Sequence, residues 1–384
     1  MRIAIDARWI FREASGIGVY TEELISSIAA EDQSNQYVLI FDAADLCRRV
    51  CRKAGLDKAG NFATEVVEFG VFSLANQVLM PRFLREQKVD VFHSPNYMIP
   101  FMAFPARPGR RPACVVTVHD VIPMIFPRHA PKSRKSRLYP IYRWLMLEVG
   151  RRADIIIADS AASRTDVISH LAIPPERQNR VQTVYCGVST AFSPQAGGRR
   201  EKAAGEARTV LYVGRSDPYK NCVGLIEAFA ELRKACPFPV NLMMVGAEDT
   251  RYPEIPAKIA ALGLDAAVRR AYLSDAELVD AYRGADLLAL PSLYEGFGLP
   301  VVEAMACGTP VVCSNRGSLP EVAGSAAIQV DPADRQALAA AMGRVLLEPS
   351  VAREMSAKGL RQAAGFTWQR TAQATIAAYK AALE

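Results

Sequence analysis

The feature that most constrains the fold of this chain is a regular alternation of short apolar runs with longer amphipathic segments. Runs such as Arg2–Asp6 and Cys114–His119 have the length and composition of buried strands. Segments such as Leu74–Gln87 carry apolar residues at helical spacing. Strands that alternate with helices in this way are typical of βαβ units. We therefore predict an α/β protein built on parallel sheets.

The alternation weakens at one place, Ser189–Arg208, which is rich in Gly, Ala and charge and lacks apolar periodicity. Such composition predicts a linker, and a length of 384 residues favours two domains. We expect two Rossmann-like doubly wound domains, at residues 1–190 and 191–366, facing a central cleft beyond the carboxyl ends of their strands. The last helix, in residues 367–384, has no strand after it, and we expect it to pack back on the first domain.

The charge of the chain is mildly basic and unevenly distributed. Residues 1–190 contain 25 basic and 19 acidic residues, whereas residues 191–384 contain 21 of each. An excess of this kind fits a first domain that contacts an anionic surface or substrate. It is too diffuse to indicate nucleic-acid binding.

The cysteines and the termini indicate a cytoplasmic protein. The eight cysteines include no C-x-x-C pair, and several lie within apolar runs, which favours a reducing compartment without disulfides or a zinc site. The N-terminal residues follow a strand pattern rather than that of a signal peptide. No apolar run approaches the ~18 residues of a membrane-spanning helix.

The stretch Leu293–Ser314 (LYEGFGLPVVEAMACGTPVVCS) has the pattern of a ligand-binding loop followed by a helix. Gly296 and Gly298 let the backbone approach a ligand closely, and Pro300 suits the first position of a helix. The start of that helix would present free N–H groups and partial positive charge to an anion. The stretch therefore predicts an anion site.

A second basic feature lies at the start of the second domain. Arg215 and Lys220 are five residues apart and flank a tight turn beyond a strand. A planar guanidinium and a compact ammonium at this spacing can hold a diphosphate from two sides. Taken alone, the turn could equally be a solvated connection to an ordinary helix. Its combination with the stretch at Leu293–Ser314 favours a phosphate site.

Two carboxylates bracket the predicted anion loop, Glu295 before it and Glu303 inside the helix. Glu303 is not expected to contact phosphate, because like charges repel. Glu303 can accept hydrogen bonds from hydroxyls next to the phosphates, such as those of a ribose, and Glu295 from those of a second ring. Phosphate flanked by two hydroxyl-bearing rings describes a nucleotide sugar.

In the first domain, His119 ends the apolar run VVTVH, which is a functional position in open α/β sheets. The alternative is a structural histidine at the end of a strand. The pair Gly16 and Gly18 lacks the third glycine of a dinucleotide fingerprint. We interpret it as a flexible loop whose backbone reaches the cleft.

A basic segment extends from Arg128 to Arg152, with eight basic residues and the single acid Glu148. Aromatic residues lie among them, so the segment could be an interfacial helix that contacts anionic lipid headgroups. The alternative is a core helix, Leu138–Val149, with a basic exposed end. The second interpretation is slightly favoured.

These motifs together resemble a known family. Glu295 and Glu303, eight positions apart in EGFGLPVVE, match the E-x7-E signature of retaining GT-B glycosyltransferases. Gly214-Arg215 with Lys220-Asn221 is similar to the phosphate-binding turn of the same family. The resemblance is closest to family 4. The segment Ile5–Tyr20 is similar to bacterial mannosyltransferases of polysaccharide assembly.

The resemblance implies roles for residues of the second domain. Arg215 and Lys220 would neutralise the diphosphate of the donor, and Glu303 would hold the ribose hydroxyls. Glu295 would meet the donor sugar together with the adjoining loop. The donor-binding loop residues are Gly296, Phe297, Gly298 and Leu299. The base would lie near Tyr272 and Leu273, at the end of a predicted strand Val268–Tyr272.

The first domain would contribute less to the donor. His119 would contact the sugar, and Gly16 and Gly18 would lie near the phosphates. With Glu295, Arg215 and Lys220, His119 completes the set of implied catalytic residues. Family members need no metal ion or other cofactor, and no two Asp of this chain are two positions apart, as a D-x-D metal motif requires.

The implied activity is transfer of a hexose, with retention, from a nucleotide sugar to a glycan or lipid-linked acceptor of cell-surface polysaccharide assembly. Mannose from GDP-mannose is the expected donor. The expected location is the cytoplasm, with peripheral contact at the inner face of the membrane as one interpretation of the basic segment. Competing hypotheses are a sugar-nucleotide epimerase, a phosphorylase and a silent nucleotide-sugar-binding protein.

Overall fold

The structure, a computed structural model, describes residues 1–13, 15–106, 112–127, 138–196, 202–203 and 205–384. These residues form two compact units. The first contains Met1–Met124, Leu138–Gly187 and Thr367–Glu384, and the second contains Val188–Phe366 with a short segment that begins at Ile125. Part of the predicted linker, at residues 197–201 and 204, lies outside the described residues, as does the 128–137 part of the predicted basic segment.

Each unit is built on one sheet, and every strand pairing within the two sheets is parallel. The strands of the first sheet are β1 (Arg2–Asp6), β2 (Gln36–Phe41), β3 (Phe62–Val66), β4 (Val91–Ser94), β5 (Ala113–Val118), β6 (Ile155–Ala158) and β7 (Val181–Thr183). The strands of the second are β8 (Arg208–Val213), β9 (Val240–Val245), β10 (Val268–Ala271), β11 (Leu287–Leu290), β12 (Val311–Ser314) and β13 (Ala327–Val330).

Helices connect the strands in both units. In the first half of the chain they are α1 (Gly16–Glu31), α2 (Ala44–Ala54), α3 (Leu74–Glu86), α4 (Ile122–Ile125), α5 (Tyr139–Arg152) and α6 (Ala161–His170). In the second half they are α7 (Cys222–Ala235), α8 (Glu254–Ala261), α9 (Asp275–Gly284), α10 (Leu299–Ala306), α11 (Leu319–Ala323), α12 (Arg335–Leu347), α13 (Pro349–Ala363) and α14 (Trp368–Ala381). No helix of the described ranges has both the length and the apolar composition needed to span a bilayer.

The strand orders are β3-β2-β1-β4-β5-β6-β7 and β10-β9-β8-β11-β12-β13. In both sheets the order reverses next to the first strand, between β1 and β4 and between β8 and β11. This is the doubly wound arrangement, and ligands of such sheets bind at the carboxyl ends of the strands where the order reverses. The predicted fold class is confirmed.

The sequence prediction missed the strands β3 and β7 and the helices α2, α4, α11 and α13. The strand β3 (FATEV) lies at the sheet edge and is mostly exposed, so it lacks the apolar run that marks a buried strand. The strand β7 has three residues. The helix α2 is rich in Arg and Lys, with three buried residues along one side.

The last helix, α14, belongs to the first unit and packs against α1 and β6. The ring of Trp368 lies 5.7 Å from that of Tyr20, and the hydroxyl of Tyr379 lies 2.8 Å from Nδ1 of His93. The chain returns to this position beside Gly187, where an added Cβ would lie 2.2 Å from the backbone nitrogen of Trp368. A larger residue than glycine would therefore displace the start of α14.

The interpretation of Gly16 and Gly18 as a flexible loop is wrong. Both residues lie in the first turn of α1, and the side chain of Ser15 caps that turn by accepting a hydrogen bond from the N–H of Gly18 at 3.1 Å. Ser15 is a strong N-terminal cap, so the helix starts four residues before the predicted Tyr20. The glycines are thus backbone donors at a helix N-terminus.

Candidate functional site

The candidate site of the second unit lies where its strand order reverses, at the loops that follow β8 and β11. The two loops are joined, because the N–H of Leu293 donates to the carbonyl of Tyr219 at 2.7 Å. Asn221 adds two further links, from its side-chain amide to the carbonyls of Pro291 at 3.2 Å and Pro332 at 2.8 Å. Asn221 itself has a left-handed backbone, with φ of 56°. These contacts fix the position of the neighbouring Lys220.

Lys220 is held by Glu295 in a buried ion pair. Its Nζ lies 2.7 Å from both carboxylate oxygens of Glu295, and little of either side chain is exposed. The hydroxyl of Ser292 donates to the same carboxylate at 2.7 Å. A buried carboxylate with a cation and a hydrogen-bond donor has its charge satisfied. Glu295, the first of the two predicted carboxylates, is therefore the ion-pair partner of the predicted Lys220.

Arg215 follows β8, and among the described residues it is tethered through one of its donor groups, Nε. Its Nε lies 2.9 Å from Oδ2 of Asp217, whose other oxygen accepts from the hydroxyl of Tyr252 at 2.8 Å. Asp217 is almost fully buried, whereas 63% of the Arg215 side chain is exposed. A guanidinium has five N–H donors. Asp217 thus orients the group while its outer face stays open to solvent.

The helix α10 follows the glycine loop as the sequence predicts, but it begins at Leu299, one residue before the expected Pro300. Gly298 precedes it with φ of 99°, and an added Cβ there would lie 2.6 Å from the side chain of Leu319. Pro300 takes the second helical position rather than the first. The ring of Phe297 is buried and lies 5.6 Å from that of Phe366. Because the Phe297 ring is buried, the loop offers its backbone rather than this aromatic side chain to a ligand.

Glu303 lies on α10, one turn beyond the loop. Its carboxylate accepts a hydrogen bond from the hydroxyl of Tyr282, on α9, at 2.6 Å. Burial raises the pKa of Glu303 to about 7, because desolvation disfavours the charged form. A carboxyl group that exchanges its proton near neutral pH, at the carboxyl edge of the sheet, has the perturbed pKa expected of a functional residue.

A cavity of about 350 Å³ lies at the carboxyl ends of β8, β9 and β10. Its walls include Gly214, Gly246 and Tyr272, with the charged pair Glu248 and Arg270. Nη1 of Arg270 lies 3.2 Å from Oε1 of Glu248. Tyr272 follows β10 instead of ending it as predicted, and its side chain is largely exposed.

His119, the predicted residue of the first unit, directly follows β5. Its Nδ1 lies 2.6 Å from Oδ2 of Asp159, and its Nε2 lies 2.9 Å from the carbonyl of Pro95. Both partners only accept hydrogen bonds, so the ring satisfies both when both nitrogens are protonated. Burial alone would lower the pKa of His119, but the Asp159 carboxylate outweighs it and the pKa is raised. The two acceptors and the raised pKa of His119 thus favour the protonated ring.

A buried chain of polar side chains runs beside His119. The two ring nitrogens of His93 contact the hydroxyls of Tyr379, at 2.8 Å, and Thr117, at 2.9 Å. Thr117 continues to the hydroxyl of Tyr20 at 3.3 Å, and the ring of Tyr20 packs edge-on against His119 at 4.8 Å. Burial lowers the pKa of His93 to about 3, so this histidine is neutral.

The structure therefore brings four predicted residues of the second unit to one edge of its sheet, Arg215, Lys220, Glu295 and Glu303. It also adds partners that sequence reasoning missed, which are Asp217, Ser292, Tyr252, Tyr282 and Asp159. Short spacing could have indicated two of them, since Asp217 lies two residues after Arg215 and Ser292 three residues before Glu295. Within the described part of the chain, no group of three or more His, Cys, Asp or Glu residues could hold a metal ion.

Comparison with known proteins matches both halves of the chain. Residues 14–192 match the family described as Glycosyltransferase Family 4, and residues 198–362 match the family described as Glycosyl transferases group 1. The chain belongs to the glycosyltransferases of family 4 and has their GT-B fold. The resemblance to family 4 and the GT-B fold inferred from the sequence motifs is confirmed.

Individual relatives extend this result. The chain is 29% identical to the O-antigen chain mannosyltransferase B of Escherichia coli, over 99% of this chain and 100% of the relative. It is 34% identical to the MMP alpha-(1->4)-mannosyltransferase of Mycolicibacterium hassiacum, over 70% of this chain and 65% of the relative.

Solved structures show the same fold at lower identity. A sucrose-phosphate synthase from Thermosynechococcus elongatus superposes with a TM-score of 0.75 at 21% identity, covering 99% of this chain and 98% of that one. Anabaena HepE in complex with UDP-glucose superposes with a TM-score of 0.72 at 19% identity, covering 98% of this chain and 99% of that one.

Proposed function

We propose that this glycosyltransferase moves mannose from GDP-mannose, with retention and without a metal ion, to a glycan or lipid-linked acceptor of polysaccharide assembly. The observation that carries the proposal is the donor half-site of the second unit, with Arg215, the Lys220–Glu295 pair, the start of α10 and Glu303 at one sheet edge. Mannose as the sugar is supported by the names of two relatives, both mannosyltransferases. A role of His119 as a sugar contact stays a prediction.

The half-site supplies positive charge where a donor diphosphate needs it. The open face of Arg215, the ammonium of Lys220 and the first N–H groups of α10 offset the charge that grows on the departing diphosphate. Glu295 restrains Lys220, so the ammonium is already placed before the donor arrives. Preorganised charge of this kind lowers the barrier because little reorganisation accompanies the reaction.

The proposed chemistry is a front-face exchange. The bond between the anomeric carbon and the phosphate oxygen breaks, and a bond from the acceptor hydroxyl oxygen to that carbon forms on the same face of the sugar. The hydroxyl proton passes to the leaving phosphate oxygen. A double displacement would instead need a carboxylate nucleophile, and Glu295 is already engaged by Lys220 and Ser292.

Guanine is the base that best fits the cavity beyond β8, β9 and β10. Its Watson–Crick edge carries two N–H donors and one carbonyl acceptor, which pair with a carboxylate and a guanidinium respectively. Glu248 and Arg270 supply that pair on the cavity wall. The uracil edge has a single N–H donor and cannot use both carboxylate oxygens in the same way.

The base assignment is tested by ligand-induced thermal stabilisation. GDP is expected to stabilise the protein more than UDP or ADP does. The variant Glu248→Gln is expected to weaken GDP binding by about tenfold, the value of about one good polar pair, with little effect on UDP. Glu354→Gln, an exposed carboxylate on α13, is the matched control. Equal stabilisation by the three nucleotides would refute the guanine assignment.

The transferase proposal is tested with GDP-mannose, a mannoside acceptor and a chelator, and the anomeric configuration of the product is followed by NMR. The expected product retains the donor configuration, and the rate is unchanged by the chelator. The double variant Arg215→Ala with Lys220→Ala is expected to lose at least about a hundredfold in rate, as for loss of a preorganised charge. Conversion of the donor without acceptor would indicate an epimerase, and binding without turnover on any acceptor a silent protein.

A further inference from the structure

An exposed apolar surface lies on the first unit, formed by α3, α5 and the turn at residues 101–103. We name it the α3–α5 surface. The exposed fraction is 87% for Leu74, 69% for Met102 and 54% for Trp144. Exposed apolar side chains also include Val78 and Leu79 on α3 and Ile141 on α5.

The three parts of the α3–α5 surface are adjacent in space. The turn packs against α3, and the side-chain amide of Gln77 donates to the carbonyl of Ile99, just before the turn, at 3.2 Å. From the other side, the ring of Phe101 lies 6.0 Å from that of Trp144 on α5. Single exposed apolar residues are ordinary, whereas a contiguous group of this kind marks an interaction site.

The charge around this surface is positive. Arg143 and Arg151 of α5 are exposed beside its apolar residues. The only acid of the helix, Glu148, is occupied by Arg151 at 2.9 Å and by Arg152 at 2.7 Å. On α3 the exposed Glu86 pairs with Arg82 at 2.6 Å. The helices therefore present tryptophan, aliphatic residues and arginine together.

We propose that the α3–α5 surface docks on an anionic lipid bilayer. Aliphatic side chains enter the boundary between headgroups and acyl chains, tryptophan lies at the headgroup level, and arginine pairs with lipid phosphate. The described half of the predicted basic segment thus supports its interfacial interpretation. A protein partner or a second copy of the chain would not require the arginine charge.

The α3–α5 surface adjoins the carboxyl edge of the first sheet. Trp9, which follows β1, has its ring 5.5 Å from that of Phe72, just before α3, and 6.1 Å from that of Tyr97, which follows β4. If the proposed function holds, docking would bring a lipid-linked acceptor to the strand ends of this unit. The docking inference itself does not depend on the reaction.

Flotation with lipid vesicles tests the inference on the full chain. Vesicles that contain phosphatidylglycerol are expected to bind the protein, and pure phosphatidylcholine vesicles to bind it at least about tenfold less, since basic residues near an anionic surface strengthen binding. The variant Val78→Ser with Trp144→Ser is expected to reduce binding by about tenfold or more. The matched control is Leu262→Ser with Leu347→Ser, two exposed apolar residues of the second unit.

A separate turnover assay distinguishes failure of the docking inference from failure of the proposed function. Turnover of GDP-mannose on a water-soluble acceptor is expected to be equal in both variants and in the wild type. Equal binding to neutral and anionic vesicles would overturn the inference, as would equal loss in the control variant. A dimer in light scattering that only the α3–α5 variant dissociates would instead identify the surface as a contact between copies.

Discussion

Glu303 shows how the position of one side chain sets its chemistry. It lies on α10 beside the buried Tyr282, and burial raises its pKa from 4.5 to about 7. In the donor half-site its proposed partners are ribose hydroxyls, which donate hydrogen bonds and bind an ionised acceptor more strongly than a neutral one. Affinity for the donor is therefore coupled to the proton on this one group.

We predict that donor affinity falls as the pH drops through about 7, because the carboxylate that accepts the ribose hydroxyls takes up a proton. The variant Glu303→Gln is expected to bind the donor weakly at every pH, and its profile should be flat around neutrality. The measurement is the apparent Kd of GDP-mannose by calorimetry from pH 6 to pH 8.5. A wild-type affinity that does not vary over this range would contradict the prediction.

The raised pKa of Glu303 also predicts a pH dependence of folding stability, opposite in sign to that of donor affinity. The folded chain keeps the Glu303 proton at pH values where the unfolded chain has lost it, so stability declines as pH rises from about 4.5 to about 7. Glu303→Gln mimics the protonated form and is expected to stabilise the free protein at pH 8 by about 3 kcal/mol, but not at pH 4.5. Chemical unfolding at the two pH values measures this. Glu231→Gln, an exposed carboxylate on α7, is the control and should change neither value.

At the scale of elements, the sequence predicted those whose signal is local. The buried strands and the glycine-proline start of α10 are visible in consecutive residues, and so are Arg215 and Lys220 beside their turn. The pairing of Lys220 with Glu295 was not predicted, because the two residues are 75 positions apart and meet only when the loops after β8 and β11 lie together. The contact between Tyr282 and Glu303 was not predicted for the same reason, since the two residues are 21 positions apart.

The helix α14 supplies part of the buried polar network of the first unit. Tyr379 gives the buried His93 one of its two hydrogen-bond partners, and an unsatisfied buried group costs about 1–3 kcal/mol. We predict that Tyr379→Phe lowers the free energy of unfolding by about that amount. Gln373→Ala, on the exposed side of the same helix and bonded to Glu31, is expected to change it by less than about 0.5 kcal/mol. Equal effects of the two changes in urea unfolding would show that the hydrogen bond between Tyr379 and His93 adds no stability of its own.

At the scale of the whole molecule, the two sheets follow the same pattern of strand order but have different side chains at their carboxyl edges. The second unit places cations, the start of α10 and Glu303 at its strand ends, and its cavity at β8, β9 and β10 adjoins them along the same sheet edge. The first unit has His119, held by Asp159, and the aromatic residues Trp9 and Tyr97 at corresponding ends. The family match covers both halves, and the shared fold alone could not have predicted this division.

The division predicts where a nucleotide binds. GDP is expected to slow amide hydrogen exchange at residues 214–221 and 295–303 of the second unit, because a ligand stabilises the segments it contacts. The core strand β4 and the helix α14 should exchange at unchanged rates. The first turn of α1 gives a separate test of Gly16 and Gly18, since its protection would support the predicted contact with phosphates and its unchanged exchange would remove it. Protection in the first unit without any change at residues 214–221 would place the nucleotide on the wrong sheet and contradict the proposed donor site.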